Sequence, residues 1–248
     1  MLKMRGDILK KKLMVLCAVA IMISTCLTGC KMNSGKIRFG SAGIGGTYQI
    51  FGDTFANLIS SKSKKYNIEV KTTAGSAANL RLLSKDYIQM AVAQMDLIND
   101  AYNRTGIFEN DKKYQGYRAV ASLYTEACQI VVPADSDIQS MDDLEGKKVC
   151  IGEEESGTEQ NALQILNAYG LNERLVDTVN LNYTDAAKKL KSGDIDAFFC
   201  TAGVQTTVIN ELSKQCKIRL VSLDQKGISR LKKSYKFYTE YTIPAGTY

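Results

Sequence analysis

The residues best placed to do chemistry in this sequence are glycines and hydroxyls at the mouths of helices. Three short loops, Gly45-Gly46-Thr47, Gly75-Ser76 and Ser156-Gly157-Thr158, each follow a strand-like run and open a helical one. Backbone N–H groups left unpaired at a helix N-terminus, together with the helix dipole, favour a carboxylate or phosphate, and glycine lets a ligand approach the main chain. Capping accounts for any one such loop alone. Three of them, two in one half of the chain and one in the other, point to a bound anion.

Other chemistries fail on named residues. The chain has 248 residues and no histidine, so it builds neither a Ser-His-Asp nor a Cys-His nucleophile, nor a His-ligated metal or haem site. Asp96 and Glu126 could serve as acid or base, but no nucleophile–base pair or metal cluster is visible, and no catalytic residue, metal or cofactor is assigned. Gly40-x4-Gly45-Gly46-Thr47 has the spacing of a phosphate loop with Gly46 in the place of its lysine. Gly43-x-Gly45-x-x-Tyr48 lacks the third small residue of a dinucleotide fingerprint. Cys128, Cys150, Cys200 and Cys216 match no zinc or redox spacing.

The loops need elements to hold them. Ile37 to Phe39 reads as a strand, and Tyr48, Phe51, Phe55, Leu58 and Ile59 fall on one face of the helix after it. Ile68 to Thr72 and Ala77 to Leu83 repeat strand and helix, and a third apolar run, Tyr87 to Ala93, precedes a helical stretch from Leu97 to Tyr102. A long extended segment follows from Ala119 to Val132. The pattern then restarts with strand Lys148 to Gly152, helix Glu159 to Tyr169, helix Asp185 to Lys191, strand Ala197 to Thr201, helix Val204 to Leu212 and strand Ile218 to Ser222. Strands alternating with helices predict an α/β fold in two lobes, with ligand sites at the carboxyl ends of the strands.

The N-terminus reads as an export signal. Lys3, Arg5, Lys10, Lys11 and Lys12 precede an apolar run from Leu13 to Ile23, which falls well short of the roughly 20 residues of a membrane-spanning helix. Removing five bases and one acid with residues 1–29 from totals of 32 and 26 leaves 27 and 25, net +2. That balance offers nucleic acid no basic stripe, so no nucleic-acid partner is expected. The bases and tyrosines from Lys232 to Tyr241 read as a solvated edge.

Leu27-Thr28-Gly29-Cys30 resembles a bacterial lipobox, which implies lipid on Cys30 and anchoring to the cell membrane on its extracytoplasmic face. Further along, Gly45-Gly46-Thr47-Tyr48, Thr73 to Leu80, Ala93-Gln94-Met95-Asp96, Leu123-Tyr124-Thr125-Glu126, Asp143 to Lys147, Gly152 to Glu159 and Gly193 to Phe199 occur in order. Together they resemble the TAXI family of TRAP-transporter solute-binding proteins, from Ile37 to Tyr248. The resemblance implies a type II periplasmic-binding-protein fold, each lobe a mainly parallel sheet flanked by helices. It also implies a receptor without enzyme activity that passes a small carboxylate or amino acid, glutamate-like, to a TRAP-type membrane permease.

Carried onto this sequence, the ligand-binding positions are Gly45, Gly46, Thr47, Tyr48, Gly75, Ser76, Gln94, Tyr124, Glu126, Ser156, Gly157 and Thr158. Loop amides and hydroxyls would hold a carboxylate, Tyr48 and Tyr124 would form walls, and Gln94 and Glu126 would orient or bind an amine. The three carboxylates Glu153-Glu154-Glu155 weaken the pull on an anion and favour a zwitterion. The expected divisions are signal 1–29, tether 30–35, first lobe 36–124, second lobe 125–222 and a return segment 223–248. The family pattern continues past Tyr248, so the resemblance implies a missing C-terminal segment. An extracellular sensor, a non-functional truncated member, or an enzyme on the same fold are the alternatives.

Overall fold

A computed structural model describes residues 35–248; the expected signal peptide, Cys30 and nearly all of the tether lie outside the described residues. The first sheet has the order β2-β1-β3, formed by β1 (Lys36–Gly40), β2 (Asn67–Lys71) and β3 (Met90–Ala91). β1 and β3 are parallel, with Phe39 opposite Met90 and Gly40 opposite Ala91. Helices α1 (Thr47–Lys62), α2 (Ser76–Ser84) and α3 (Met95–Asn103) follow the three strands in turn. The i, i+4 pair Phe51 and Phe55 on α1 stacks at 5.9 Å and closes over Phe39 of β1, at 6.1 and 5.8 Å between ring centroids.

One buried amide ties the three strand ends together. Asn79 of α2, fully buried, donates from Nδ2 to the carbonyls of Ser41 at 2.7 Å and Val92 at 2.8 Å, beyond β1 and β3. Its Oδ1 accepts from Thr73 Oγ1, beyond β2, at 2.8 Å. Every polar atom of this side chain is thereby used, which is how a buried amide avoids its desolvation penalty. The loops that follow these strands are fixed relative to one another.

The second sheet has the order β6-β5-β7-β4-β8, from β4 (Ala127–Pro133), β5 (Lys148–Cys150), β6 (Asp177–Val179), β7 (Ala197–Ala202) and β8 (Ile218–Leu220). β5 is parallel to β6 and β7, while β4 runs antiparallel to β7 and β8. β7 is buried along its whole length, and alternation sends Phe199 to one face and Phe198 and Cys200 to the other. On the Phe199 side pack α4 (Gly157–Ala168) and α7 (Gln225–Ser234); on the other lie α5 (Tyr183–Ser192) and α6 (Thr207–Ser213). The two-lobed α/β architecture expected from the strand and helix pattern is the one observed.

Several boundaries differ from the expectation. The long strand expected over 119–132 forms only at Ala127–Pro133, because β7 and β8 flank the chain only there and residues 118–123 are exposed. α7 lies within the expected return segment 223–248; Asp224 caps it, accepting from Gly227 N at 2.7 Å, and Leu231 and Tyr235 pack with the second-lobe core. All four cysteines of the described chain are free thiols.

Candidate functional site

The loops after the strands of both lobes meet around a cavity of about 40 Å³, room for a few waters. Its lining includes Gly46, Thr47, Tyr48, Gly75, Ser76, Gln94, Glu126, Ser156, Gly157 and Thr158. Ten of the twelve predicted positions therefore share one cavity. The other two stand just outside it. Gly45 lies against Thr184, and Tyr124 faces a broad trough bordered by residues 110–126.

The first lobe brings donors. α1, α2 and α3 begin at this cavity after Gly46, Gly75 and Gln94, and none of the three has a side-chain cap. Their dipoles and unspent N–H groups favour an anion, although Ala78 N of α2 already donates to the Glu155 carbonyl at 3.3 Å and Leu97 N of α3 to Asp96 Oδ1 at 2.8 Å; the wall holds Glu126 and Glu153 and no Lys or Arg.

The second lobe is different, because the hydroxyl protons of Tyr183 and Thr158 are already spent. Tyr183 OH donates to the Thr201 carbonyl at 2.9 Å, so it must accept from Thr158 Oγ1. Thr158 Oγ1 in turn accepts from Thr201 N at 3.3 Å. Thr158 is a brace between α4, α5 and β7, and the expected gift of its hydroxyl to a carboxylate is not available in this arrangement. Ser156 caps α4, accepting from Glu159 N at 3.0 Å.

A chain of donors converges on Glu126. Gln94 N donates to Ser76 Oγ at 3.1 Å, Ser76 Oγ pairs with Tyr48 OH at 3.5 Å, and Tyr48 OH donates to Glu126 Oε2 at 3.0 Å. Burial pushes the Glu126 carboxyl up to about 7, with Tyr48, Gln94 and Tyr124 pulling it down and the charge of Asp96 adding to the rise. The Tyr48 phenol is raised well above its usual value, by burial first and by Glu126 second. Glu126 is thus a carboxyl whose ionisation burial opposes, in a wall that holds no Lys or Arg.

The glycines serve a purpose not expected from sequence: they let the lobes approach each other. A Cβ on Gly157 would lie 1.9 Å from Gln94 Oε1 of the first lobe, and one on Gly43 would lie 1.9 Å from Glu153 Oε2 of the second. Gly75, at φ +129, sits with its Cα hydrogen facing Ser156. Direct bonds also cross the cleft: Gln94 Nε2 to Asn161 Oδ1 at 3.0 Å, Thr184 Oγ1 to the Ile44 carbonyl at 3.2 Å, and Arg81 Nη1 to Glu155 at 2.7 Å.

Sequence reasoning missed Glu153, Asn182, Tyr183 and Thr201 in the lining. A signal for two of them was present. Asn182 ends the loop after β6 and caps α5, accepting from Asp185 N at 2.9 Å, so Asn182-Tyr183 repeats the strand, loop and helix order used to find the other three loops. Thr201 follows an apolar run and carries no such mark. Among the described residues no group of His, Cys, Asp and Glu is placed to hold a metal ion, and no helix is long and apolar enough to cross a membrane.

A family model described as the NMT1-like family matches residues 39–248. Among solved structures, the chain is similar to the alkanesulfonate-binding protein SsuA from Xanthomonas axonopodis pv. citri bound to MOPS, with 18% identity, a TM-score of 0.51, and 76% of this chain aligned to 60% of that one. It therefore spans about 60% of that protein's length. A binding protein component of an ABC phosphonate transporter from Pseudomonas aeruginosa matches at 12% identity and TM-score 0.54, over 81% of this chain and 73% of that one. An ancestral arginine-binding protein bound to arginine matches at 19% identity and TM-score 0.50, over 82% and 93%. These likenesses establish the periplasmic-binding-protein fold.

Proposed function

This chain belongs to the NMT1-like family, and from that premise we propose that it is an extracytoplasmic solute-binding receptor. It captures a small amino acid, glutamate-like, between its lobes and carries out no reaction on it. The observation that carries this reading is the pairing, in one cavity, of three uncapped helix N-termini with the carboxyl of Glu126 and no basic side chain. The helix ends suit a carboxylate; Glu126 suits an ammonium. A plain dicarboxylate would satisfy the first and oppose the second.

Delivery to a TRAP-type permease is supported by the TAXI-like motifs, and attachment to the membrane by the lipobox at Cys30. The structural neighbours named above include a component of an ABC phosphonate transporter, which favours delivery to an ABC permease as the second reading. Co-purification of the membrane partner after cross-linking from native membranes separates the two. For the solute, isothermal calorimetry against L-amino acids, dicarboxylates, alkanesulfonates and phosphonates should find tight binding among the amino acids. Binding confined to sulfonates or phosphonates, or no binding across the panel, would overturn the reading.

A further inference from the structure

Asn161 is a buried amide on α4, in the second lobe, one turn beyond Gly157, and it does not line the cavity. Its orientation is dictated by what surrounds it. Nδ2 donates to Tyr238 OH at 2.8 Å and faces the Asp96 carboxyl Oδ2 at 3.4 Å. Tyr238 OH gives its own proton to Gln164 Oε1 at 2.6 Å, so toward Asn161 it can only accept. The nitrogen of Asn161 is therefore committed, and its oxygen must face the first lobe. There Oδ1 accepts from Gln94 Nε2 at 3.0 Å.

That bond settles Gln94 in turn. Its nitrogen is held toward Asn161 and lies beside Glu126, while Oε1 is turned against Gly157 in the cavity wall, buried and without a hydrogen-bond partner. A buried carbonyl oxygen left unpaired carries a cost that a donor on a bound solute would remove. Gln94 belongs to the first lobe and Asn161 to the second, so the arrangement exists only while the lobes are together.

We propose that Asn161 is a positioning residue for solutes bearing a primary ammonium. Acting through Gln94, it keeps the amide nitrogen on the Glu126 side and presents the amide oxygen to the solute's nitrogen, and it does so only on closure. This rests on the reading of the cavity as an amino-acid site. The groups facing Glu126 are Tyr48 from α1, Gln94 and Asp96 around the start of α3, Tyr124 on its own segment, Cys128 on β4, Cys200 on β7 and Tyr183 on α5; none is a base. Removing the hold on Gln94 frees its amide, which lowers the Glu126 carboxyl, to turn away, and leaves nothing cationic to replace it.

The test compares L-glutamate with glutarate, the same skeleton without the amine, by calorimetry from pH 5 to 9 on the full chain. In the wild type, L-glutamate binds more tightly, with an advantage that grows as pH rises and Glu126 ionises. Asn161→Ala should lower L-glutamate affinity about tenfold, leave glutarate within about twofold, and move the pH midpoint upward. Tyr238→Phe, which removes only the hydroxyl that orients Asn161, should shift the same ratio about threefold in the same direction and serves if Asn161→Ala does not fold. A wild-type preference for L-glutamate that either folded variant preserves, with its pH midpoint, overturns the role of Asn161 alone. Equal loss for both probes assigns Asn161 a purely structural part and overturns it too. A wild type that binds neither probe overturns the amino-acid reading, and this inference with it.

Discussion

Arg81 on α2 of the first lobe reaches across the cleft to Glu155 of the second at 2.7 Å, while the same guanidinium holds Asp111 at 3.2 Å and lies 4.9 Å from the ring centre of Phe108. Glu155 adopts a left-handed backbone at φ 64, and its carbonyl accepts from Ala78 N at 3.3 Å. One member of the acidic triplet that sequence reading set against anion binding is thus a clasp between the lobes. Half-exposed pairs of this kind contribute about 0–1 kcal/mol. Arg81→Met should therefore weaken solute binding about two- to fivefold and increase the radius of gyration in small-angle scattering of the unliganded chain. The exchange Arg81→Glu with Glu155→Arg should recover most of the loss; recovery no better than either single change would remove the clasp from consideration.

Gly157→Ala sets helix propensity against closure. Alanine at the first position of α4 favours the helix by up to about 1 kcal/mol, yet its Cβ would fall 1.9 Å from Gln94 Oε1. The expected outcome is an unchanged or raised melting temperature with solute affinity reduced about tenfold or more. A variant that binds as well as wild type would show that Gln94 moves aside freely.

Glu126 predicts a sign for the dependence of stability on pH. Burial raises its carboxyl from an ordinary 4.5 to about 7, so between those values the folded chain holds more protons than the unfolded one. Stability of the unliganded protein should fall as pH rises through that window, by about 3 kcal/mol from this group. Glu126→Gln should flatten that part of the curve in urea titrations at pH 4.5, 6 and 7.5. A curve of the same slope in the variant assigns the effect to other carboxyls, Asp96 and Glu153 being the partly buried ones nearby.

Asn79→Ala removes the amide that joins the three strand ends of the first lobe. The Val92 carbonyl loses its donor, while the Ser41 carbonyl and the Thr73 hydroxyl keep each other at 2.9 Å, and the expected cost is about 1–3 kcal/mol. Chemical denaturation measures it directly. A loss below about 0.5 kcal/mol would mean that water replaces the amide.

The lipobox reading predicts that palmitate label enters the wild type and not Cys30→Ser. Equal labelling of both would end it.

Much of this molecule can be read from sequence, for reasons that differ from part to part. Strand, loop and helix order shows in the apolar spacing of Ile37 to Ile59 and of Lys148 to Tyr169, because those segments each bury one face. Seven of the cavity-lining positions, Gly46, Thr47, Gly75, Ser76, Ser156, Gly157 and Thr158, were accessible from three loops of the same grammar, while Tyr48, Gln94 and Glu126 came only from the family resemblance. α7 was not, since five bases between Lys226 and Lys236 hide the two buried positions Gly227 and Leu231. Nor was the proton accounting that binds Thr158 to Tyr183, because residues 25 apart in sequence meet only when α5 is laid beside β7. The glycines were legible as close approaches, while the partner was not: sequence spacing suggests a small molecule where the structure puts the opposing lobe.

Gly43, Gly45 and Gly46 leave one rim of the cleft as bare main chain opposite Glu153, Thr184 and Tyr183. At these three positions no side chain stands between the two lobes, which lie almost in contact. Side chains added at those three positions would hold that rim apart, so its bare main chain sets how near the lobes can come.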